Sequence, residues 1–175
     1  MRIIAGTWGG RRIQAPKGRD VRPTSDRVRE AWMSAAGSSF PQARVLDLFA
    51  GSGALGLEAL SRGAKHATFV ETSSKALRAL RANIESLGAA DRVTVVRRDA
   101  FRYLDELESL AFDVAFADPP YERGLAARLF EVISQRPFAR ELWVEHRSSE
   151  TLPRLPELRS RRYGDTTVSF WEPPA

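Results

Sequence analysis

Two stretches of this chain carry residue types and spacings that could do chemistry. The first is Asp118-Pro119-Pro120-Tyr121, which follows the apolar run 112–117. Proline has no backbone N–H, fixes its own φ and biases the residue before it toward extended geometry. The four residues should therefore form a stiff corner that holds out a carboxylate, bare carbonyls and a phenol ring. An exocyclic amine on a nucleobase is a poor nucleophile, because its lone pair is delocalised into the ring. The Asp118 carboxylate and the Pro119 carbonyl could accept its two N–H bonds, localise that lone pair and aim it. Catalysis would then be mostly orientation. Pro120 keeps the corner rigid, and Tyr121 offers a flat face on which an extruded base can stack. The bland alternative is a Pro-Pro turn with an exposed acid.

The second stretch runs from Asp47 through Leu48, Phe49, Ala50, Gly51, Ser52, Gly53, Ala54 and Leu55 to Gly56. Gly51, Gly53 and Gly56 have G-x-G-x-x-G spacing, which lets a backbone turn tightly and approach a ligand. Glu71 stands twenty residues after Gly51, where a carboxylate can take both hydroxyls of a ribose. A pyrophosphate would be repelled by Asp47, four residues before Gly51. A cationic amino-acid moiety would not. S-adenosylmethionine carries an ammonium and a sulfonium, so it is the expected cofactor. Gly51, Gly53 and Asp47 are assigned to its methionine end, Glu71 to its ribose, and Asp99 with Ala100 to its adenine. Phe49, Ala50, Ser52 and Thr72 complete the cofactor-binding set. Asp99 could instead cap the helix that follows it. The chemistry requires no metal.

These residues need elements to position them. Buried strands are expected at 44–49, 66–71, 93–97, 112–117 and 142–146, and helices at 54–61, 74–87, 101–110 and 125–134. Ser73 should cap the second of these helices and Gly88 should stop it. Strands alternating with helices mean parallel βαβ units. Two final runs, 158–163 and 167–171, flank Gly164-Asp165 and read as a hairpin. The expected fold class is therefore α/β, a doubly wound, mostly parallel, seven-stranded Rossmann-like sheet that ends in an antiparallel hairpin. Ahead of it, residues 2–14 read as a small hairpin. Thr24 should cap a helix that carries Val28, Ala31, Trp32 and Ala35 and ends at Gly37. This divides the chain into a basic extension, 1–37, and a methyltransferase domain, 38–175.

Charge is distributed unevenly. The net charge of +5 is all in residues 1–30, which hold eight basic and three acidic side chains. A basic arm on a neutral body is an electrostatic footprint for a polyanion. Arg2, Arg11, Arg12, Arg22, Thr24 and Arg27 are the expected RNA-binding residues, and Arg22, Thr24, Asp26 and Arg27 should flank the site's mouth, contacting RNA or methionine. A smaller basic cluster comprises Arg154, Arg159, Arg161 and Arg162. The chain has no cysteine, which removes thiolate metal sites and the Cys nucleophile that pyrimidine C5 methylation generally needs. His66 and His146 border apolar runs and read as structural. No apolar run is long enough to span a bilayer, and the first residues lack the apolar core of a secretory signal. A cytoplasmic monomer is expected.

The motifs at Gly51 to Gly56, Glu71, Asp99 and Asp118 to Tyr121 resemble those of class I S-adenosylmethionine-dependent methyltransferases that act on exocyclic amines. Four further blocks narrow the resemblance to the bacterial RsmD family: Arg2-Ile3-Ile4-Ala5-Gly6, residues 22–30, residues 47–53, and Tyr163-Gly164-Asp165-Thr166. Trp8 and Trp32 depart from the family pattern without touching a catalytic position. The resemblance implies methylation of a guanine N2 in 16S rRNA, with the RNA presented within a 30S subunit or an assembly intermediate. Rival readings are a DNA adenine-N6 methyltransferase, a non-catalytic RNA-binding assembly factor and, most remotely, a nicotinamide oxidoreductase.

Overall fold

The computed structural model describes residues 1–15, 25–121 and 123–175. Its strands are β1 (Arg44–Leu48), β2 (His66–Glu71), β3 (Val93–Arg97), β4 (Phe112–Ala117), β5 (Ala139–Arg147), β6 (Leu158–Tyr163) and β7 (Thr166–Trp171). They form one sheet in the order β3-β2-β1-β4-β5-β7-β6. The first five strands are parallel, and β7 runs antiparallel to both β5 and β6. The expected fold class is thus the observed one. The strand order reverses direction between β1 and β4, and in open α/β sheets that point is where a ligand crevice opens.

Helices α1 (Asp26–Ala35), α2 (Ala54–Ser61) and α3 (Ser74–Leu87) cover one face of the sheet. Val28, Trp32, Leu57, Leu60, Leu80 and Ile84 pack there on Val45, Phe69, Val114 and Phe116. Helices α4 (Ala100–Asp105) and α5 (Leu125–Gln135) cover the other face, where Phe101, Leu104, Leu129 and Phe130 meet Leu46, Leu48, Ala115 and Val144. Successive strand residues point to opposite faces. The central strands are buried on both, which is why they read as continuous apolar runs. Ser73 and Gly88 cap α3 as expected, Gly88 in the left-handed region at φ 65°.

Several boundaries differ from the sequence expectation. Ser25, not Thr24, caps α1, accepting from the Val28 N–H at 3.2 Å. Thr24 itself lies outside the described residues, as does Arg22. Helix α4 spans six residues instead of ten. The chain after it takes φ 54° at Leu110, whose N–H bonds to the Pro137 carbonyl at 2.8 Å, so this segment runs beside the approach to β5. Strand β5 begins three residues early because β4 pairs with it from Phe112 opposite Ala139. Tyr163 pairs with Thr166, so the last hairpin has a two-residue turn and β7 starts one residue early.

The N-terminal hairpin is closed by an antiparallel bridge between Arg2 and Arg12 and plugs into the same core through Ile3, Trp8 and Ile13. Buried Glu58 on α2 accepts the N–H groups of Ile4 and Ala5 at 2.8 and 3.0 Å and pairs with Arg62 at 3.0 Å. Gly6 has φ 83°, and a Cβ there would lie 1.9 Å from the Ser61 carbonyl oxygen, so only glycine fits. The two tryptophans are absorbed by packing. Trp32 meets the edge of Phe116 at 5.8 Å, and the Arg92 guanidinium lies 5.0 Å over Trp8.

Candidate functional site

The glycine loop follows β1 and turns the chain into α2. Phe49 and Gly51 take positive φ values of 55° and 57°, and Gly53, at φ 84°, is the N-cap of α2. A left-handed Phe is uncommon and costs energy that the surrounding structure must supply. Here a bond from the Ala50 N–H to the Val70 carbonyl (3.1 Å) and one from the Gly53 N–H to the Ala50 carbonyl (2.8 Å) hold the turn. A Cβ at Gly53 would press on Leu80 at 2.4 Å, whereas a Cβ at Gly51 would meet open space. The loop therefore packs against the protein at Gly53 and faces outward at Gly51.

Glu71 ends β2 beside this loop. Its Oε2 accepts the Gly51 N–H at 2.8 Å, and its Oε1 accepts the N–H groups of Thr72 and Ser73, each at 2.9 Å. Three amides thus fix the carboxylate at the crevice before any ligand arrives. Asp47 lies beneath the loop at 1% exposure, with its Oδ2 accepting the Gly56 N–H at 2.9 Å. Burial pushes its carboxyl well above the usual carboxylate range, against the bond from Gly56, and the neighbouring Asp118 and Glu71 push it further. Three carboxylates from the ends of β1, β2 and β4 therefore share one electrostatic neighbourhood. A cation placed among them relieves the repulsion, while a phosphate adds to it.

Asp99 caps α4, accepting the Arg102 N–H at 3.1 Å through Oδ1, so the alternative role weighed for it is real. Ala100 behind it is buried. Phe49 packs edge-on against Phe101 at 6.3 Å, and the Arg128 guanidinium lies 3.8 Å over the Phe101 ring. These rings form an apolar cluster next to Asp99.

Strand β4 delivers the Asp118 corner next to the glycine loop, since Leu48 and Ala117 are register partners. Asp118 is half-buried, Pro119 buried and Pro120 exposed. The Tyr121 hydroxyl donates to Glu145 Oε1 at 3.0 Å and lies 3.4 Å from Thr166 Oγ1, while the Arg147 guanidinium sits 5.2 Å over its ring. Burial, with help from Glu145 and Asp118, raises the phenol to about 12, so it remains a neutral donor. Tyr121 is therefore more than a bare stacking face, because its hydroxyl ties the corner to β5 and β7.

The arm residues do not all gather here. Arg2, Arg12 and Arg27 are exposed. Arg11 donates to the Ser86 carbonyl at 2.5 Å. Ser86 lies near the C-terminal end of α3, roughly 18 Å along the helix from Ser74 at about 1.5 Å per residue. Arg11 is thus far from the crevice mouth. Asp26 pairs with buried Arg29 at 3.1 Å, and Arg29 also donates to the Arg2 carbonyl, which ties α1 to the hairpin.

Sequence reasoning missed Asn83. At 1% exposure its Oδ1 accepts the Gln14 N–H (2.7 Å), and its Nδ2 donates to the carbonyls of Gln14 and Ser52, each at 2.9 Å. One side chain therefore ties the glycine loop to the N-terminal arm. Its signal was a polar residue within the apolar stripe of α3, and Glu145 gave the same signal within β5. The histidines are hydrogen-bonded as structural residues: His66 with Thr94 at 2.8 Å, and His146 with Ser169 at 2.7 Å. Among the described residues, no group of three or more His, Asp or Glu side chains is arranged to hold a metal ion, and no helix is long and apolar enough to cross a membrane.

The strand order, the reversed β7, the glycine loop and the acidic crevice define a class, the Rossmann-like methyltransferase fold. The chain belongs to the family described as conserved hypothetical protein 95, whose model matches residues 1–172. It is 36% identical over 159 residues to ribosomal RNA small subunit methyltransferase D of Escherichia coli strain K12, covering 89% of this chain and 79% of that protein. The solved structure of a hypothetical protein from Thermus thermophilus superimposes with a TM-score of 0.84 at 32% identity, over 98% and 99% of the two chains. An RNA methyltransferase from Salinibacter ruber, solved with S-adenosyl-L-homocysteine, shares the fold at a TM-score of 0.66 and 17% identity, over 86% and 93%.

Proposed function

We propose that this chain transfers a methyl group from S-adenosylmethionine to the N2 amino group of a guanine in 16S ribosomal RNA. The observation that carries the reading is the crevice at the point where the strand order reverses. Asp47, Glu71 and Asp118 gather carboxyl groups there, and the glycine loop and the Asp118 corner follow the paired ends of β1 and β4. This donor set fits a cationic amino-acid nucleoside. Three pre-oriented amides hold Glu71 for a ribose, a cation bound above the loop would favour the ionised form of buried Asp47, and Asp99 with Phe49 and Phe101 borders the remaining space for a base. When bound, the cofactor supplies an electrophilic methyl group on a sulfonium.

The rest of the work falls to the chain. Asp118 and the Pro119 carbonyl accept the two N–H bonds of the substrate amine and aim its lone pair. The Tyr121 ring, held by Glu145 and covered on one side by Arg147, bounds the place where the flipped base enters. Residues 1–37 form a basic arm on the catalytic body of residues 38–175. Arg2, Arg12 and Arg27 contact RNA phosphates together with Arg22. The named relative acts on small-subunit rRNA, and its near whole-chain match brings that substrate class here. The enzyme works in the cytoplasm as a monomer, on RNA carried by a 30S particle.

The test uses small subunits from cells lacking this gene. The purified chain and S-adenosylmethionine should restore one N2-methylguanosine in 16S rRNA, mapped by mass spectrometry of nuclease fragments. N6-methyladenosine, or no methyl transfer to either naked or particle-bound rRNA, would overturn the reading.

A further inference from the structure

On the face of the sheet that carries α1, β5, β7 and β6 present three ranks of side chains in register. The outermost rank is Trp143, Phe170 and Arg159. The next is Glu145, Val168 and Arg161. The third is Arg147, Thr166 and Tyr163, which adjoins the Tyr121 corner. Trp143 and Phe170 pack with ring centroids 4.3 Å apart and 33° between their planes, and both are only partly buried. The Trp143 indole is fixed by donating to Glu141 at 3.1 Å, and Glu141 in turn accepts from Ser39 at 2.7 Å. Arg159 and Arg161 are exposed, and among the described residues neither makes an ion pair. Arg161 lies 5.6 Å over the Tyr163 ring.

We propose that this face is a binding platform for single-stranded RNA flanking the target nucleotide, a role that rests on the proposed reaction. Rigid, partly buried rings beside unpaired guanidinium groups are the elements of single-strand recognition, since bases stack on the rings and phosphates pair with the arginines. A charged edge strand that blocks pairing with other sheets would account for the arginines of β6. It would not account for two fixed, only partly buried aromatic rings in the same rank. Strand β7 carries the platform from Thr166 at the corner to Phe170, roughly 14 Å away at about 3.4 Å per residue. RNA leaving the active site therefore runs down β7 toward the N-terminal end of the parallel strands, on the part of the sheet that β4 and β5 separate from β1 and the glycine loop.

The test measures equilibrium binding of a fluorescein-labelled single-stranded RNA dodecamer of mixed sequence, and of the same dodecamer annealed to its complement. It needs no turnover, so it stands even if methyl transfer to rRNA fails. Phe170→Ala should weaken binding of the single strand about 5- to 150-fold, the range expected for one lost stacked base. Phe170→Leu keeps apolar volume in the sheet and should show the same weakening if the ring face is what matters. Arg159→Ala with Arg161→Ala should flatten the dependence of log affinity on log salt by roughly 0.7 per lost phosphate contact. A 4-thiouridine dodecamer should crosslink to peptides containing residues 143–170. Folded Phe170→Leu and double-arginine proteins that bind the single strand with wild-type affinity and salt dependence would overturn the platform, as would wild-type binding that prefers the duplex.

Discussion

Replacing Asn83 with alanine removes the side chain that ties the arm to the glycine loop, and its cost can be built from the three bonds. The Ser52 carbonyl is in a buried residue, and leaving it unpaired costs about 1–3 kcal/mol. The two Gln14 bonds are worth less, about 0.5–1 kcal/mol each, because Gln14 is exposed and its backbone groups can turn to water. Alanine returns about 0.5 kcal/mol through better helix propensity. The net loss is about 2–4 kcal/mol, which lowers the melting temperature by roughly 5–15 °C for a domain of this size. Asn83→Asp should be at least as harmful, since it replaces a donor to two carbonyls with an oxygen. The distinctive readout is local. Trypsin should cut after Arg11 and Arg12 faster than in the wild type, and S-adenosylmethionine affinity should fall several-fold because Ser52 adjoins Gly51. A melting temperature within about 2 °C of wild type, with unchanged cleavage at the arm, would refute the linkage.

Glu71→Ala should weaken S-adenosylmethionine binding by about 1.5–3 kcal/mol by calorimetry, the scale of a hydrogen bond to a charged group. Glu71→Gln should not rescue it, because both oxygens accept N–H groups and an amide NH2 in either place would face a donor. Asp118→Ala should leave cofactor affinity nearly intact and lower single-turnover methyl transfer by two or more orders of magnitude, as expected for a residue that orients the nucleophile; near-normal transfer would make the corner a structural turn. Tyr121→Phe should cost about 1–2 kcal/mol by denaturant titration through the lost bond to buried Glu145. It should also change alkaline behaviour. The folded phenol is raised from 10.0 to about 12, so its contribution to stability is complete below pH 10 and is lost as pH rises through 12. Wild type should lose more stability than Tyr121→Phe across that window, and parallel curves would contradict the assignment.

The sheet was legible because its central strands are buried on both faces and its helices carry apolar stripes, patterns that survive in a single sequence. The glycine loop was legible because its tight turn, its packing and its outward face require small residues at fixed spacing. What supports the site was not legible, for one physical reason. Asn83, Glu58 and Glu145 act through partners 24 to 69 residues away, and a lone polar residue in an apolar run does not name its partner. The cap of α1 slipped by one because Thr24 and Ser25 are both competent caps, and spacing alone does not separate them. The spread of the arm was not legible for a related reason: a cluster of arginines in sequence says nothing of where a docked hairpin places them.

Tyr121 shows how far partners distant in sequence alter the reading of a site. Read from the sequence, it was a ring on a rigid corner, and its hydroxyl had no assigned work. In the fold, the corner leaves β4 while the hydroxyl reaches Glu145 on β5 and Thr166 at the start of β7. Proline stiffness alone sets the backbone of Asp118 and Pro119 but does not fix the corner against the sheet. The Tyr121 bonds supply that second constraint, and they come from the antiparallel pair that ends the chain. The β7 end of the β6–β7 hairpin therefore helps hold the corner to which the proposed mechanism assigns the aiming of the amine. A defect in its packing should reach the chemical step through Tyr121 while leaving the cofactor residues on β1 and β2 undisturbed.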